Sequence, residues 1–198
     1  MRASFREKGS KFIGVLFPIS SLQVFEKSLR DIASEYPDAT HHCYAWRLNP
    51  DGIEEFAQDD GEPSGTAGLP ILNRLKSYEV VNGACVVVRY YGGTKFGKSG
   101  LIEAYGRSAE LCLQKATLQT IVATRNFKIT YPYQKQSEID RLKNSFDLKE
   151  LNATYLEKVT LLVACRSEQA DNFWERLQRM SHGGIEAEQR GSGIITMG

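Results

Sequence analysis

The chain has 198 residues, 41% hydrophobic and 25% charged, with a formal net charge of +1. That composition excludes a disordered chain, and the charge balance excludes the global basic excess of an obligate nucleic-acid binder, though a local patch still suffices. The length suits one medium domain or two small ones.

In chain order, the N-terminal segment is polar and lacks the apolar core of a signal peptide. Phe12 to Phe17 reads as a strand ended by Pro18. Ser20-Ser21-Leu22-Gln23 has capping-box spacing, so a helix is predicted from Ser20, with Leu22, Phe25, Leu29, Ile32, Ala33 and Tyr36 on one face. His42 to Leu48 reads as a strand, Asn49-Pro50-Asp51-Gly52 as a turn, and Ile53 to Gln58 as a returning hairpin strand. A short helix follows at Leu69–Tyr78. Ala84 to Tyr91 is the strongest strand, apolar enough to lie centrally, and Leu101 to Ala116 is a helix.

The pattern changes near Leu118–Arg125, which suggests domains of residues 1–120 and 121–198. The second reads strand (Phe127–Tyr131), helix (Ser137–Ser145), a strand pair (Ala153–Tyr155, Lys158–Cys165), helix (Glu168–Met180) and strand (Gly184–Gln189). That is the β-α-β-β-α-β order of a ferredoxin-like split βαβ unit. The fold class is therefore α+β, with α/β character in the first domain. No apolar run reaches the roughly 20 residues needed to span a bilayer, so no membrane is expected. Four cysteines without CxxC spacing read as buried thiols in a reducing, cytoplasmic setting.

Two glycine-rich loops carry the chemistry. The second, Gly92-Gly93-Thr94-Lys95-Phe96-Gly97-Lys98-Ser99, spells a Walker A string between a strand and a helix. ATP hydrolysis also needs a metal-holding acid at the end of a later apolar strand, yet Val159 to Cys165 runs into Arg166-Ser167. Two readings remain: Gly92, Gly93, Gly97 and Gly100 only permit φ > 0 in a tight strand-to-helix connection, or the turn is an electropositive helix N-terminus able to meet phosphate. Arg89, Lys95 and Lys98 flank it with no acid between Ala84 and Ile102. Strand alternation leaves only one of Tyr90 and Tyr91 exposed on that face.

The first loop, Asp59 to Gly68, belongs to an acidic stretch. Asp59, Asp60 and Glu62 suit oxygen ligation of a metal or general acid–base work. They equally suit a solvated loop in which one carboxylate accepts from Gly61 N–H or pairs with Lys95. Ser64 and Thr66 fit loop and cap hydrogen bonds. His41-His42-Cys43 resembles a metal cluster, but strand neighbours face opposite ways and no companion ligands follow. One histidine then faces the functional side, and we assign His42 to it.

Lys8-Gly9-Ser10-Lys11-Phe12-Ile13, Asp38 to Trp46, Asp59-Asp60-Gly61-Glu62-Pro63-Ser64-Gly65-Thr66-Ala67-Gly68, Val87-Val88-Arg89-Tyr90-Tyr91-Gly92-Gly93, Leu101 and Ala104-Tyr105-Gly106 together resemble the IMPACT family, in particular its bacterial YigZ-type members. The resemblance covers essentially the whole chain. It implies an N-terminal domain like the second domain of a small-subunit ribosomal protein. It also implies a C-terminal ferredoxin-like domain similar to the last domain of elongation factor G. Eukaryotic relatives regulate translation by interfering with activation of a translation-control kinase, and the bacterial members resemble them in the N-terminal domain only. The family shows Gly-x-Gly-Gly-Leu where this chain has Gly97-Lys98-Ser99-Gly100-Leu101. Ser99 standing for a glycine makes the Walker match a local coincidence.

The expectation is a cytoplasmic, non-enzymatic regulator-type protein of the translation machinery that binds RNA, the ribosome or a translation-associated protein, with no cofactor or metal. Its candidate binding residues in the first half are His42, Asp60, Glu62 and Thr66. Those in the second are Arg89, Tyr90, Tyr91, Gly92, Gly93, Lys95, Gly97 and Lys98. The alternatives are a metal-dependent hydrolase or phosphotransferase using Asp59, Asp60 and Glu62, and a pure protein-interaction module.

Overall fold

The computed structural model describes residues 1–180 and 183–196. The fold is α+β, with two antiparallel sheets in two compact units, Met1–Leu118 and Gln119–Gly198.

In the first unit, β1 (Arg2–Glu7), β2 (Ser10–Pro18), β3 (His41–Leu48), β4 (Glu54–Gln58) and β5 (Gly83–Tyr90) form a sheet in the order β1-β2-β5-β3-β4. β5 is central, as its apolar run predicts, because a strand buried on both faces cannot alternate polar with apolar. Helix α1 (Leu22–Glu35) covers one face, where Ile13, Val15, Val86 and Val88 pack with Ile32. Helices α2 (Gly68–Ser77) and α3 (Gly97–Leu113) cover the other, where Phe12, Leu16, Cys85 and Val87 pack with Ile71, Leu75, Tyr105 and Ala109. The sheet is thus the middle of three layers, and residue parity decides which helices a side chain meets.

Several boundaries differ from expectation. Strand β1 is absent from the sequence reading: its polar edge side chains hide a strand whose evidence is its pairing with β2. The connecting turn, Lys8-Gly9, has φ of +49° and +86°, the double positive φ of a two-residue hairpin turn. The α1 cap is Ser21, one residue later than predicted, whose hydroxyl accepts from Val24 N–H at 3.3 Å. Leu22 consequently sits in the exposed first turn. Helix α3 begins at Gly97 instead of Leu101, because the burial of Phe96 and Leu101 draws the glycine-rich segment between them into a helical turn.

In the second unit, β6 (Ile121–Tyr131), α4 (Gln136–Ser145), β7 (Lys149–Tyr155), β8 (Val159–Arg166), α5 (Ala170–Arg179) and β9 (Glu186–Thr196) follow the split βαβ order. The strands lie β7-β8-β6-β9. β6 and β9 are longer than their apolar segments suggest, because their outer halves pair with each other through Ile121↔Thr196 and Thr124↔Gly193. Ile139, Leu142, Phe173 and Leu177 of the helices bury Phe127, Ile129, Leu161 and Val163 of the sheet. All four cysteines are free and buried, and no helix among the described residues is long and apolar enough to cross a membrane.

Candidate anion site between two glycine loops

The first loop is held by its own acids. Asp59 accepts from Gly65 N–H at 2.8 Å with one oxygen, and from Ala67 and Gly68 N–H at 2.9 Å with the other. It therefore closes the loop and caps the uncovered N-terminus of α2. Burial alone would raise the Asp59 carboxyl, but the three backbone donors outweigh it and hold the group below its ordinary value. Asp60 adopts φ +44° before Gly61 at +86°. Its carboxylate accepts from His42 N–H at 2.6 Å and its carbonyl from His41 Nδ1 at 2.7 Å. The Thr66 hydroxyl donates to the Pro63 carbonyl at 2.6 Å. Asp59 and Thr66 thus spend their polar atoms within the loop, and Asp60 ties it to β3. Glu62 and Pro63 are left to face the second loop.

The second loop rests on the β1–β2 turn, backbone against backbone. A Cβ on Gly92 would stand 2.5 Å from the Gly9 carbonyl oxygen, and one on Gly93 2.5 Å from that of Lys8. Thr94 N–H donates to the Lys8 carbonyl at 3.1 Å. Ser10, fully buried, donates to the Gly92 carbonyl and accepts from Gly92 N–H, both at 3.2 Å. The chain then enters α3 with no side-chain cap and no acid in the first turn. The helix N-terminus therefore offers unsatisfied N–H groups and its positive dipole end to the outside.

Between the loops lies a buried charge cluster. Arg89 is 3% exposed and Glu62 9%. Arg89 Nη1 pairs with Glu62 Oε1, which also accepts from the Tyr105 hydroxyl at 2.8 Å. Arg89 Nη2 donates to Ser10 Oγ at 3.3 Å, and Nε is buried without a partner. The guanidinium lies 5.2 Å from the ring centres of Tyr91 and Phe96, close enough for cation–π attraction. His41 Nε2 is 3.7 Å from Glu62 Oε1. Burial, ahead of any charge, raises the Tyr105 hydroxyl far above its ordinary value. It also pushes Cys43 up to about 12, so neither is a nucleophile near neutral pH.

A cleft of about 390 Å³ opens over this cluster, lined by His41, Glu62 and Pro63 from one side and by Arg89, Tyr91, Lys95, Phe96, Gly97, Lys98 and Leu101 from the other. Lys95 and Lys98 are exposed, and no carboxylate among the described residues lies within 4 Å of either amine. The two loops therefore make one recess whose cationic groups outnumber its single, already paired, carboxylate.

Of the residues singled out from sequence, Glu62, Arg89, Tyr91, Lys95, Gly97 and Lys98 line this cleft, while Gly92 and Gly93 shape its wall. Four do not line it: Asp60 and Thr66, whose polar atoms are taken by His42 N–H and the Pro63 carbonyl, and His42 and Tyr90, which lie on the other sheet face. His42 belongs to the opposite sheet face: His41 is paired with Arg89 in register and shares its side, so the neighbouring His42 points toward α1. The histidine on the cleft side is His41. Tyr90 likewise packs against the α1 cluster, leaving Tyr91 as the exposed ring, 51% accessible. Asp59, Asp60 and Glu62 do not converge, and no three potential metal-binding side chains gather among the described residues. Sequence reasoning missed Ser10, His41, Pro63, Phe96, Leu101 and Tyr105 as parts of the site. Parity counted from buried Cys43 finds His41; Tyr105 carries no local signal, because only the fold brings its hydroxyl to a buried carboxylate.

The family model of the Impact N-terminal domain matches residues 8–113. The IMPACT family member YigZ of Escherichia coli (strain K12) is 34% identical over 181 residues, 90% of this chain and 89% of that protein. The IMPACT family member YvyE of Bacillus subtilis (strain 168) is 31% identical over 176 residues, 88% of this chain and 80% of that protein. A crystal structure of a hypothetical protein aligns with a TM-score of 0.63 at 32% identity, covering 94% of this chain and 91% of that one. With its two glycine loops inside the matched domain and relatives aligned along nearly its full length, this chain belongs to the IMPACT family.

Proposed function

We propose that this chain is a cytoplasmic, translation-associated binding protein that takes the phosphate backbone of RNA in the cleft between its glycine loops. The observation that carries the reading is the convergence of Lys95, Lys98 and the uncapped N-terminus of α3 on one recess. Such a site suits a polyanion: backbone N–H groups hold a phosphate oxygen while flexible ammonium groups neutralise the charge. Tyr91 adds an exposed ring on the same wall, a stacking surface for an unpaired base. Family membership supports the link to translation, and four free buried thiols accord with a reducing compartment.

The test is fluorescence anisotropy with a labelled single-stranded RNA across a salt series. Each phosphate neutralised on a single strand contributes a slope of about −0.7 in log K against log salt. Replacing Lys95 and Lys98 together by alanine should make the slope shallower by about 1.4 and weaken binding at low salt. Affinity that ignores both salt and the double substitution overturns the assignment. So does a protein partner retained after nuclease treatment by the doubly substituted chain, which would favour the interaction-module alternative.

A further inference from the structure

We propose, resting on that RNA reading, that His41 makes the cleft specific for ribonucleotides by accepting a hydrogen bond from a ribose 2′-hydroxyl. The argument begins with the proton on the imidazole. Nδ1 lies 2.7 Å from the Asp60 carbonyl oxygen. A carbonyl only accepts, so Nδ1 is the nitrogen that bears hydrogen, which makes Nε2 the acceptor of the ring in its uncharged form. Nε2 makes no hydrogen bond among the described residues: its nearest ionic neighbour, Glu62 Oε1, is 3.7 Å away, beyond hydrogen-bond reach. The His41 side chain is 19% exposed and lines the cleft.

The rest of the recess is donor-rich. Lys95, Lys98 and the N–H groups that open α3 only donate, and Arg89 brings a buried guanidinium whose Nε has no partner. Glu62, the one carboxylate there, is neutralised by Arg89, and its Oε1 accepts from both Arg89 and Tyr105. The ligand that fits is therefore an anion carrying one hydroxyl donor close to its charge. A ribonucleotide has that pairing, with the 2′-hydroxyl beside the 3′-phosphate, whereas a deoxyribonucleotide keeps the phosphate and loses the donor. The lysines and α3 supply affinity; His41 supplies the distinction.

The experiment compares three labelled single strands of one sequence by anisotropy: all-ribo, 2′-fluoro and deoxy. The 2′-fluoro strand keeps the ribose-like sugar shape but cannot donate, so it separates donation from shape without altering the protein. Expected is tighter binding of the ribo strand than of either analogue by about tenfold, the worth of one hydrogen bond. In His41→Ala that gap should collapse, so that the variant binds the ribo, 2′-fluoro and deoxy strands alike. A 2′-fluoro strand that binds as well as the ribo strand, or a gap that persists in His41→Ala, overturns the assignment. Equal, salt-dependent binding of all three strands overturns it too, but leaves phosphate recognition standing. Absence of binding by any strand overturns both.

Discussion

Removing Glu62 should cost the first unit more stability than any change to the exposed part of the cleft. Arg89 is 3% exposed, and its charge is compensated by Glu62 from the same buried cluster. Breaking a buried pair by deleting one member costs about 3–5 kcal/mol, because the survivor is left charged in a low-dielectric surround. Glu62→Ala also strips the buried Tyr105 hydroxyl of its acceptor, worth about 1–3 kcal/mol if nothing replaces it. These terms share one oxygen and do not simply add, so a loss of about 3–6 kcal/mol is expected, a large part of a domain stability of about 5–15 kcal/mol. Replacing both partners by apolar residues, as in Glu62→Leu with Arg89→Met, should recover most of that loss. Urea titration followed by Trp46 fluorescence measures it, in a Trp174→Phe background so that the signal comes from one unit. A single variant that loses less than about 1 kcal/mol, or a double variant as unstable as Glu62→Ala, would refute the idea that the ion pair is buried and coupled.

The Asp59 carboxyl is lower in the folded chain than in the unfolded one, so its stabilising contribution is full above the ordinary carboxylate value of about 4 and fades as pH falls through the folded value. Asp59→Asn should cost about 1–3 kcal/mol near neutral pH, and its urea midpoint should converge on that of the parent as pH is lowered; parallel curves would sink the assignment. Gly93→Ala should cost about 2–5 kcal/mol, since left-handed strain at φ +67° adds to a Cβ that would stand 2.5 Å from the Lys8 carbonyl oxygen. Gly97→Ala, at φ +71° with nothing within 4 Å of the new atom, should cost only about 1–2 kcal/mol of left-handed strain. Thermal melts that rank these two in the opposite order would count against the packed joint between the second loop and the β1–β2 turn.

Much of this arrangement is legible in the amino-acid sequence because its signals are local. The valine run of β5, the amphipathic spacing of α1 and α5, and the glycines and lysines of the second loop each announce themselves within a few residues. What escaped was set by partners far along the chain. β1 looks like a polar tail, since an edge strand needs little hydrophobicity and its proof lies in pairing with β2. The choice between His41 and His42 depends on which residue of β3 stands opposite Arg89 of β5, a register that no window of sequence contains. Asp59 and Asp60 resemble catalytic acids by composition alone. Their commitment to backbone donors becomes visible only when the loop that carries them is closed.

The position of Arg89 at the end of β5 has a consequence for folding. Val86, Val87 and Val88 present the same side chain to both faces of the sheet, so hydrophobic alternation cannot tell the native pairing of β5 from one slipped by a single residue. Arg89 can. A one-residue slip would turn its guanidinium toward α1, among Ile13, Val15 and Ile32, out of reach of Glu62, Ser10 and Tyr91. Burying that charge unpaired carries a penalty of several kcal/mol, larger than any gain from a shifted valine. The residue that lines the floor of the cleft thereby also acts as the register pin of the central strand.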